Sequence, residues 1–318
     1  MIFSAGGGFE QREYSFTALP YASVFFVFSI ERDTLNSREV TLCDTHRPQL
    51  LFSATKWSLR MHDVTVLTLV PPDFDRLPKC LESVAWADQR LCVVDARAPE
   101  EAIEAARAYT DQVVVHPYEN AAAQRNWALP QITTEWVLVL DADEWVSDAL
   151  AEGIREIIQR DGGPEGYQIW RQSYFMGKLI RHCGWHRDYN LRLFRTAKGK
   201  YLDRRVHSKV IVDGEVGTIK LPMYHNTYRD FDEYFATMQR FTTWGAQDAY
   251  DRGKRSRLRD LIFRPGIRFL KMYLLDHGFL DGYHGAVLCG LSACSVFTKY
   301  AKLWKLHHDS TADQKSAL

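Results

Sequence analysis

Two kinds of hydrophobic spacing alternate between residues 64 and 158. Val64–Val70, Leu91–Val94 and Gln112–Val115 read as strands, and the unbroken apolar run Trp136–Leu140 as a fourth covered on both faces, as a parallel sheet requires. Between them the period changes to that of a helix. Arg76–Val84 places Leu77, Leu81 and Val84 on one side, and Ala121–Leu129 forms another such segment. Pro99 followed by Glu100-Glu101 predicts a helix opening, with proline at the first position and acids at the positive end. Ser147 predicts an N-cap for a helix that carries Leu150, Ile154, Ile157 and Ile158 on one face. Strands alternating with helices at this spacing predict a parallel sheet with right-handed crossovers.

The pattern changes after Gly162-Gly163-Pro164. Tyr167–Ser173, Leu191–Arg195, Lys209–Val212 and Leu221–His225 read as strands joined by turns at Lys198-Gly199 and Asp213-Gly214. This half is more antiparallel, so the fold class predicted is α/β with one mixed sheet. Asp230 then caps a helix whose apolar face is Phe231, Phe235, Met238, Phe241 and Trp244.

A third regime begins near residue 251. Residues 251–275 hold eight basic side chains (Arg252, Lys254, Arg255, Arg257, Arg259, Arg264, Arg268, Lys271) against Asp251 and Asp260, a local charge of plus six. Leu258, Leu261, Ile262, Phe263, Ile267, Phe269 and Leu270 interleave with them, and apolar Ala286–Phe297 and Lys299–Lys305 follow. Basic and apolar faces with Trp and Tyr at the ends predict helices lying on an anionic membrane surface. No apolar run reaches the ~18 residues a spanning helix needs. The organisation predicted is a 61–228 α/β domain, a 229–306 helical, basic, membrane-peripheral region and a 307–318 tail. Residues 1–60 lack this periodicity and read as a poorly ordered extension, with Met61 as an alternative start.

Composition narrows the partners. Forty basic and forty acidic side chains cancel, which argues against nucleic acid as a partner. The six cysteines show no CxxC spacing, so neither a zinc site nor a disulfide framework is predicted, and a reducing compartment fits. Aromatics at 13% suit either packing or sugar stacking.

The candidate chemistry sits where the fourth apolar strand ends, at Leu140-Asp141-Ala142-Asp143-Glu144. Open α/β sheets bind ligands beyond the carboxyl ends of their strands. Two aspartates there, one residue apart, suit a hard cation such as Mg²⁺ or Mn²⁺ that shares its shell with substrate phosphates. The same residues also suit a solvated acidic turn ahead of the Ser147 helix.

With these residues in hand, the chain resembles the GT-A fold of inverting glycosyltransferase family 2. Further motifs are similar to one branch of it, which includes bacterial lipopolysaccharide core β-1,4-glucosyltransferases. They are Arg125-Asn126-Trp127-Ala128-Leu129, Tyr174–Lys178, Gly184–Phe194, Arg205-Val206-His207, Phe279–Gly282 and Lys299–Trp304. The resemblance spans roughly residues 64–306 and implies a GT-A, Rossmann-like mixed sheet flanked by helices. It implies a nucleotide-sugar donor, UDP-glucose, a divalent metal on Asp141 and Asp143, and inversion at the anomeric carbon. The implied acceptor is a cell-envelope glycolipid or oligosaccharide, met at the inner face of the cytoplasmic membrane. By position Asp188 matches the catalytic base and Arg192 a phosphate-binding arginine. Asp95 matches a nucleotide contact, while Arg125, Asn126 and Asp141 line the donor side. Trp185 and His207 are candidate sugar or acceptor contacts.

Two loops depart from the family pattern. Val70-Pro71-Pro72-Asp73 replaces a Thr-Lys-Asn-Glu-type segment, and Asp95-Ala96-Arg97-Ala98-Pro99-Glu100 keeps only the first Asp of an Asp-Ser-Gly-Ser-Thr-Asp run. These departures leave open a non-catalytic member that binds a nucleotide sugar or scaffolds envelope assembly.

Overall fold

The computed structural model describes residues 27–32, 38–43, 63–160, 162–202 and 209–316. The chain divides into two units, Met1–His62 and Asp63–Leu318. In the first, β1 (Val27–Arg32) and β2 (Arg38–Cys43) pair antiparallel, with Val27 opposite Cys43. The rest of the expected 1–60 extension, and Met61, lie outside the described residues.

The second unit is built on one nine-stranded mixed sheet. Its first half is β3 (Val64–Val70), β4 (Gln89–Asp95), β5 (Val113–His116) and β6 (Trp136–Asp141), all parallel. The helices α1 (Leu77–Glu82), α2 (Glu100–Arg107) and α3 (Ala121–Ala128) connect them. All of β3 and Trp136–Leu140 of β6 are buried, as unbroken apolar runs require. Pro99 sits at the N-cap of α2, one place before the predicted first position. The strand order β5-β4-β3-β6 reverses at β3. That reversal opens a crevice beyond the carboxyl ends of β3 and β6, where Val70 and Asp141 lie.

The second half adds β7 (Glu144–Val146), α4 (Asp148–Ile158), β8 (Gly166–Phe175), β9 (Lys178–Leu179), β10 (Tyr189–Arg195) and β13 (Val216–Tyr228). A separate pair, β11 (Gly199–Tyr201) and β12 (Val210–Val212), stands off the sheet. Strand β10 inserts antiparallel between β6 and β8, and β13 pairs antiparallel with β7. The longest contact of this half runs against expectation. β8 and β13 are parallel, from Gly166 opposite Val216 to Phe175 opposite Tyr228. The chain leaves β8 through β9, β10 and the β11–β12 pair, then re-enters in the same direction. The sheet thus has the GT-A arrangement anticipated above, a Rossmann-like half extended by mixed pairing.

Helix α5 (Phe231–Asp251) starts where Asp230 predicts, its Oδ1 accepting from the Glu233 N–H at 2.8 Å. The predicted apolar face is not the buried one. Phe231, Phe235, Phe241 and Trp244 are exposed, while Tyr234, Thr242, Ala246 and Ala249 face inward. Small residues allow the close approach of α7 (Gly282–Ser316), whose Leu303 packs on Ala246 and Ala249. Lys302 of α7 donates to Gln239 O and to the Thr242 and Thr243 hydroxyls at 2.8, 2.8 and 2.7 Å, which fixes that face inward. The segments 286–297 and 299–304 belong to this one continuous helix. Helix α6 (Leu258–Leu270) packs on it as well. Among the described residues no helix is long and apolar enough to cross a membrane. Cys80, Cys92, Cys183 and Cys289 are buried free thiols.

Candidate active site

Strand β6 delivers Asp141 to the crevice, and the buried Ala142 turns the chain by packing into the cluster of Val70, Leu77 and Leu81. That anchor leaves Asp141 and Asp143 facing the cleft, while Glu144 enters β7 and becomes fully buried. Glu144 is therefore a strand residue rather than part of an acidic turn.

A chain of alternating charges runs from this strand end across the sheet. Asp141 accepts from Arg125 through Oδ1 and from Arg192 through Oδ2, the latter at 2.8 Å. Glu144 accepts from the Asp141 N–H at 3.1 Å, from Arg192 at 2.6 Å and from Arg171 at 3.3 Å. Arg171 then donates from Nε to Asp188 Oδ2 at 2.8 Å, and Asn190 donates to Asp188 Oδ1 at 2.9 Å. The order is Arg125, Asp141, Arg192, Glu144, Arg171, Asp188. Buried charges need partners of this kind.

Local backbone geometry explains how Arg192 enters the chain. The register of β10 against β8 shifts between Leu191 and Leu193, leaving Arg192 as the extra residue of a bulge. A bulge re-aims its side chain. Leu191 and Phe194 consequently pack in one cluster and Leu193 in another, while Arg192 is buried at the carboxylates. Burial pushes the Asp141 carboxyl up, but Arg192 and Arg125 outweigh it and hold the group well below the usual carboxylate range.

Asp143 has a different partner. His225 Nε2 of β13 lies 3.3 Å from Asp143 Oδ2, and the Asn226 N–H donates to Asp143 O at 2.9 Å. The other His225 nitrogen, Nδ1, lies 2.9 Å from the Thr227 hydroxyl and 3.4 Å from that of Ser173. Burial raises the Asp143 carboxyl, and the charge and hydrogen bond of His225 more than offset it, so the group sits low.

Among the described residues no cluster of three or more His, Cys, Asp or Glu side chains is placed to hold a metal by itself. Both oxygens of Asp141 accept from arginines, and Asp143 stands beside His225 in the same cleft. A carboxylate beside an imidazole suits a transition ion such as Mn²⁺, which takes a nitrogen ligand more readily than the oxygen-seeking Mg²⁺, with substrate phosphate and water completing the shell.

The remaining predicted residues separate. Asp95 reaches the cleft, but its buried carboxylate accepts from Arg97 Nε at 3.1 Å, Arg97 Nη2 at 2.6 Å and the Arg97 backbone N–H at 3.0 Å. The Arg97 side chain bond lowers this carboxyl. Asn126 does not reach the cleft. Its amide donates to Tyr201 O at 2.9 Å and accepts from Tyr201 N–H at 2.8 Å, so it pins β11. It faces a separate cavity of about 730 Å³ that contains none of these carboxylates. Trp185 is half-buried and meets Phe175 edge-on, with centroids 6.4 Å apart. His207 lies outside the described residues.

Two cavities meet at this charge chain. The larger, about 690 Å³, holds Asp95, Arg125, Asp141 and Asp143. The smaller, about 350 Å³, holds Trp185, Arg187 and Asp188. Arg171, His225 and Thr227 line both. The loop carrying Trp185 is pinned from the helical region. Asp281 accepts from the Arg181 and His182 N–H groups at 3.1 and 2.8 Å, and the Asp276 carbonyl accepts from Cys183 N–H at 3.0 Å.

Glu144 belongs to the acidic motif read from the sequence but carries no role there, and Arg171 and His225 lie outside every motif. Arg171 and His225 carried a faint signal, each being a charged or titratable residue on a predicted strand.

Residues 73–211 match the profile of Glycosyl transferase family 2. The chain is 28% identical over 239 residues to the lipopolysaccharide core biosynthesis glycosyltransferase LpsC of Rhizobium meliloti (strain 1021), covering 71% of this chain and 88% of that protein. It is 23% identical over 258 residues to an uncharacterized glycosyltransferase of Rickettsia prowazekii (strain Madrid E), covering 76% and 87%. Among solved structures, S. aureus TarS 1-349 in complex with UDP-GlcNAc aligns with a TM-score of 0.41 at 12% identity, covering 78% of this chain and 92% of that one.

Proposed function

We propose that this chain, whose residues 73–211 match the profile of Glycosyl transferase family 2, moves a sugar, glucose from UDP-glucose, to a glycolipid acceptor of the lipopolysaccharide core type, with inversion. The observation that carries this reading is the pair of adjoining cavities, one with Asp141 and Asp143 and the other with Asp188, which share Arg171, His225 and Thr227. A transferase needs such an arrangement, with the donor on one side of the reacting carbon and the nucleophile on the other. The likeness to LpsC supports the choice of acceptor class.

In this reading the sugar diphosphate occupies the larger cavity. Asp188 takes the proton of the acceptor hydroxyl as general base. The freed oxygen bonds to the anomeric carbon while the bond to the diphosphate breaks on the opposite face, and the nucleoside diphosphate leaves. Arg171 orients Asp188 by donating from Nε to Oδ2. A divalent cation held by Asp143 and His225 supplies, when bound, positive charge against the leaving diphosphate. Arg125 and Arg192 fix the strand end beside that site through Asp141. A nucleotide sugar and a lipid-borne acceptor meet at the cytoplasmic face of a membrane, which is where this reading places the protein.

One observation favours a second reading, a non-catalytic member that scaffolds envelope assembly: Arg97 occupies both carboxylate oxygens of Asp95, the residue matched to the nucleotide contact. Thermal shift across UDP-, GDP- and CDP-sugars with Mn²⁺ tests the donor. A stabilisation specific to UDP-sugars supports the proposal, and none with any nucleotide sugar contradicts it in favour of the second reading.

A further inference from the structure

We propose that the outer side of α6, continued by the turn around Phe279–Tyr283, is the surface on which this protein lies against an anionic lipid bilayer. The inference deepens the membrane reading above by naming the element that makes contact. It does not depend on the transfer chemistry, and its test does not use activity.

Helix α6 has already satisfied its core contact. Phe269 and the following Met272 pack in the cluster containing Leu288 and Cys289 of α7. On its other side the helix keeps a second apolar face. Leu258 is 73% exposed, Phe263 64% and Ile267 62%, and beyond the helix end Leu275 is 72% exposed. At helical spacing Leu258, Ile262, Phe263, Ile267 and Leu270 fall on one continuous arc. Tyr283, 83% exposed, stands beyond the turn after it. Soluble monomers seldom leave a contiguous apolar strip of this kind uncovered.

Charge selects the occupant. The strip is threaded through residues 251–275, which hold eight basic and two acidic side chains; Arg252, Arg264 and Lys271 pair with Asp248, Asp260 and Asp276, and Lys254, Arg255, Arg257, Arg259 and Arg268 supply the excess positive charge. A two-fold contact of this strip with a second copy would bring two such segments together, and an isologous interface places like residues close to the axis. Anionic headgroups instead neutralise the arginines while the acyl boundary takes up the leucines, isoleucines and phenylalanine. Arg259, on the apolar arc itself, has a stem long enough to reach headgroups from there. Because no described helix is long and apolar enough to span, α6 lies in the plane of the interface. The structure thereby reassigns the lipid contact. The apolar stretch 286–297 of α7 buries Leu288 and Cys289 inside the protein, and α6 presents the outer face.

The full chain is tested by co-sedimentation with vesicles of phosphatidylcholine alone or mixed with phosphatidylglycerol. It is expected to pellet with the anionic vesicles and to be released as salt rises well above about 0.1 M. The variant Ile262→Glu/Ile267→Glu is expected to lose roughly tenfold in bound fraction, by placing charge in the apolar boundary. Its circular dichroism melt is expected to match the parent, since both positions are exposed. Arg255→Glu/Arg259→Glu is expected to weaken binding to anionic vesicles as well. A full chain that stays in solution with anionic vesicles overturns the proposal, as does an Ile262→Glu/Ile267→Glu variant that pellets like the parent. So does light scattering that shows a dimer dissolved by the same pair of substitutions, since the face then belongs to a second copy.

Discussion

Arg171 joins Glu144 to Asp188: one guanidinium lies 3.3 Å from the first carboxylate through Nη1 and 2.8 Å from the second through Nε. Glu144 opens β7, just after the turn in which Asp143 follows the Asp141 end of β6, and Asp188 leads into β10. The geometry ties the donor side of the cleft to the proposed base by one planar cation. Arginine suits this place because its fork addresses two carboxylates at fixed angles.

Glu144 is 0% exposed and holds two arginines. Glu144→Gln keeps the shape and removes the charge, leaving Arg192 and Arg171 under-compensated. Losing one partner of a buried ion pair costs about 3–5 kcal/mol. Urea unfolding should show a loss of that size. A variant as stable as the parent would mean that solvent compensates these arginines.

Arg171→Lys retains the charge but cannot address Glu144 and Asp188 together. Turnover is expected to fall by about 10²-fold through misplacement of the base. UDP affinity should stay near that of the parent. Calorimetry and initial rates separate the two effects, and a parallel loss of UDP affinity would instead place Arg171 on the donor.

Asp143→Ala removes the carboxylate that faces the cleft beside His225. Titration calorimetry of UDP with and without Mn²⁺ should show metal-enhanced binding in the parent and none in the variant. Asp141→Asn, whose side chain bonds arginines, should lower stability and keep the Mn²⁺ enhancement. If Asp141→Asn loses the enhancement and Asp143→Ala keeps it, the ligand assignment is reversed.

The folded-state carboxyls of Asp141 and Asp143 are held low by Arg192, Arg125 and His225 against the opposing effect of burial. A group depressed in the folded state adds stability that is fully present above its unfolded value, ~4 for aspartate. That stability is lost as pH falls through the folded value. Urea midpoints should therefore drop on acidification below about pH 4. Asp141→Asn should show a shallower drop over the same interval. An equal drop would exclude Asp141 as a source of the acid sensitivity.

Much of the scaffold could be read directly. β3 and β6 are buried on both faces, so their apolar runs marked them almost to the residue. The sequence shows β13 only as Leu221–His225, because Gly217 and Lys220 interrupt the pattern ahead of it, although it runs from Val216 to Tyr228. The aromatic stripe of α5 misled because helix contact there selects small side chains. In the site, Asp141, Asp143 and Glu144 stand out at the end of an apolar strand, and Asp188 enters only through the family resemblance. The pairing does not show, since Arg171, Glu144 and His225 come from β8, β7 and β13 and meet only through sheet pairing. The bulge that turns Arg192 inward is a property of register, which one strand's sequence does not carry. Asn126 looked like a pocket residue because nothing local shows that Tyr201, far along the chain, takes up its amide.

The most direct test is nucleotide release from UDP-glucose in the presence of Mn²⁺ and a truncated lipopolysaccharide core acceptor, comparing the parent chain with Asp188→Asn. The account predicts acceptor-dependent release by the parent. It predicts a fall of about 10²–10⁴-fold in the variant, the contribution of a positioned general base, with UDP binding retained. Release by Asp188→Asn at the parent rate would contradict it.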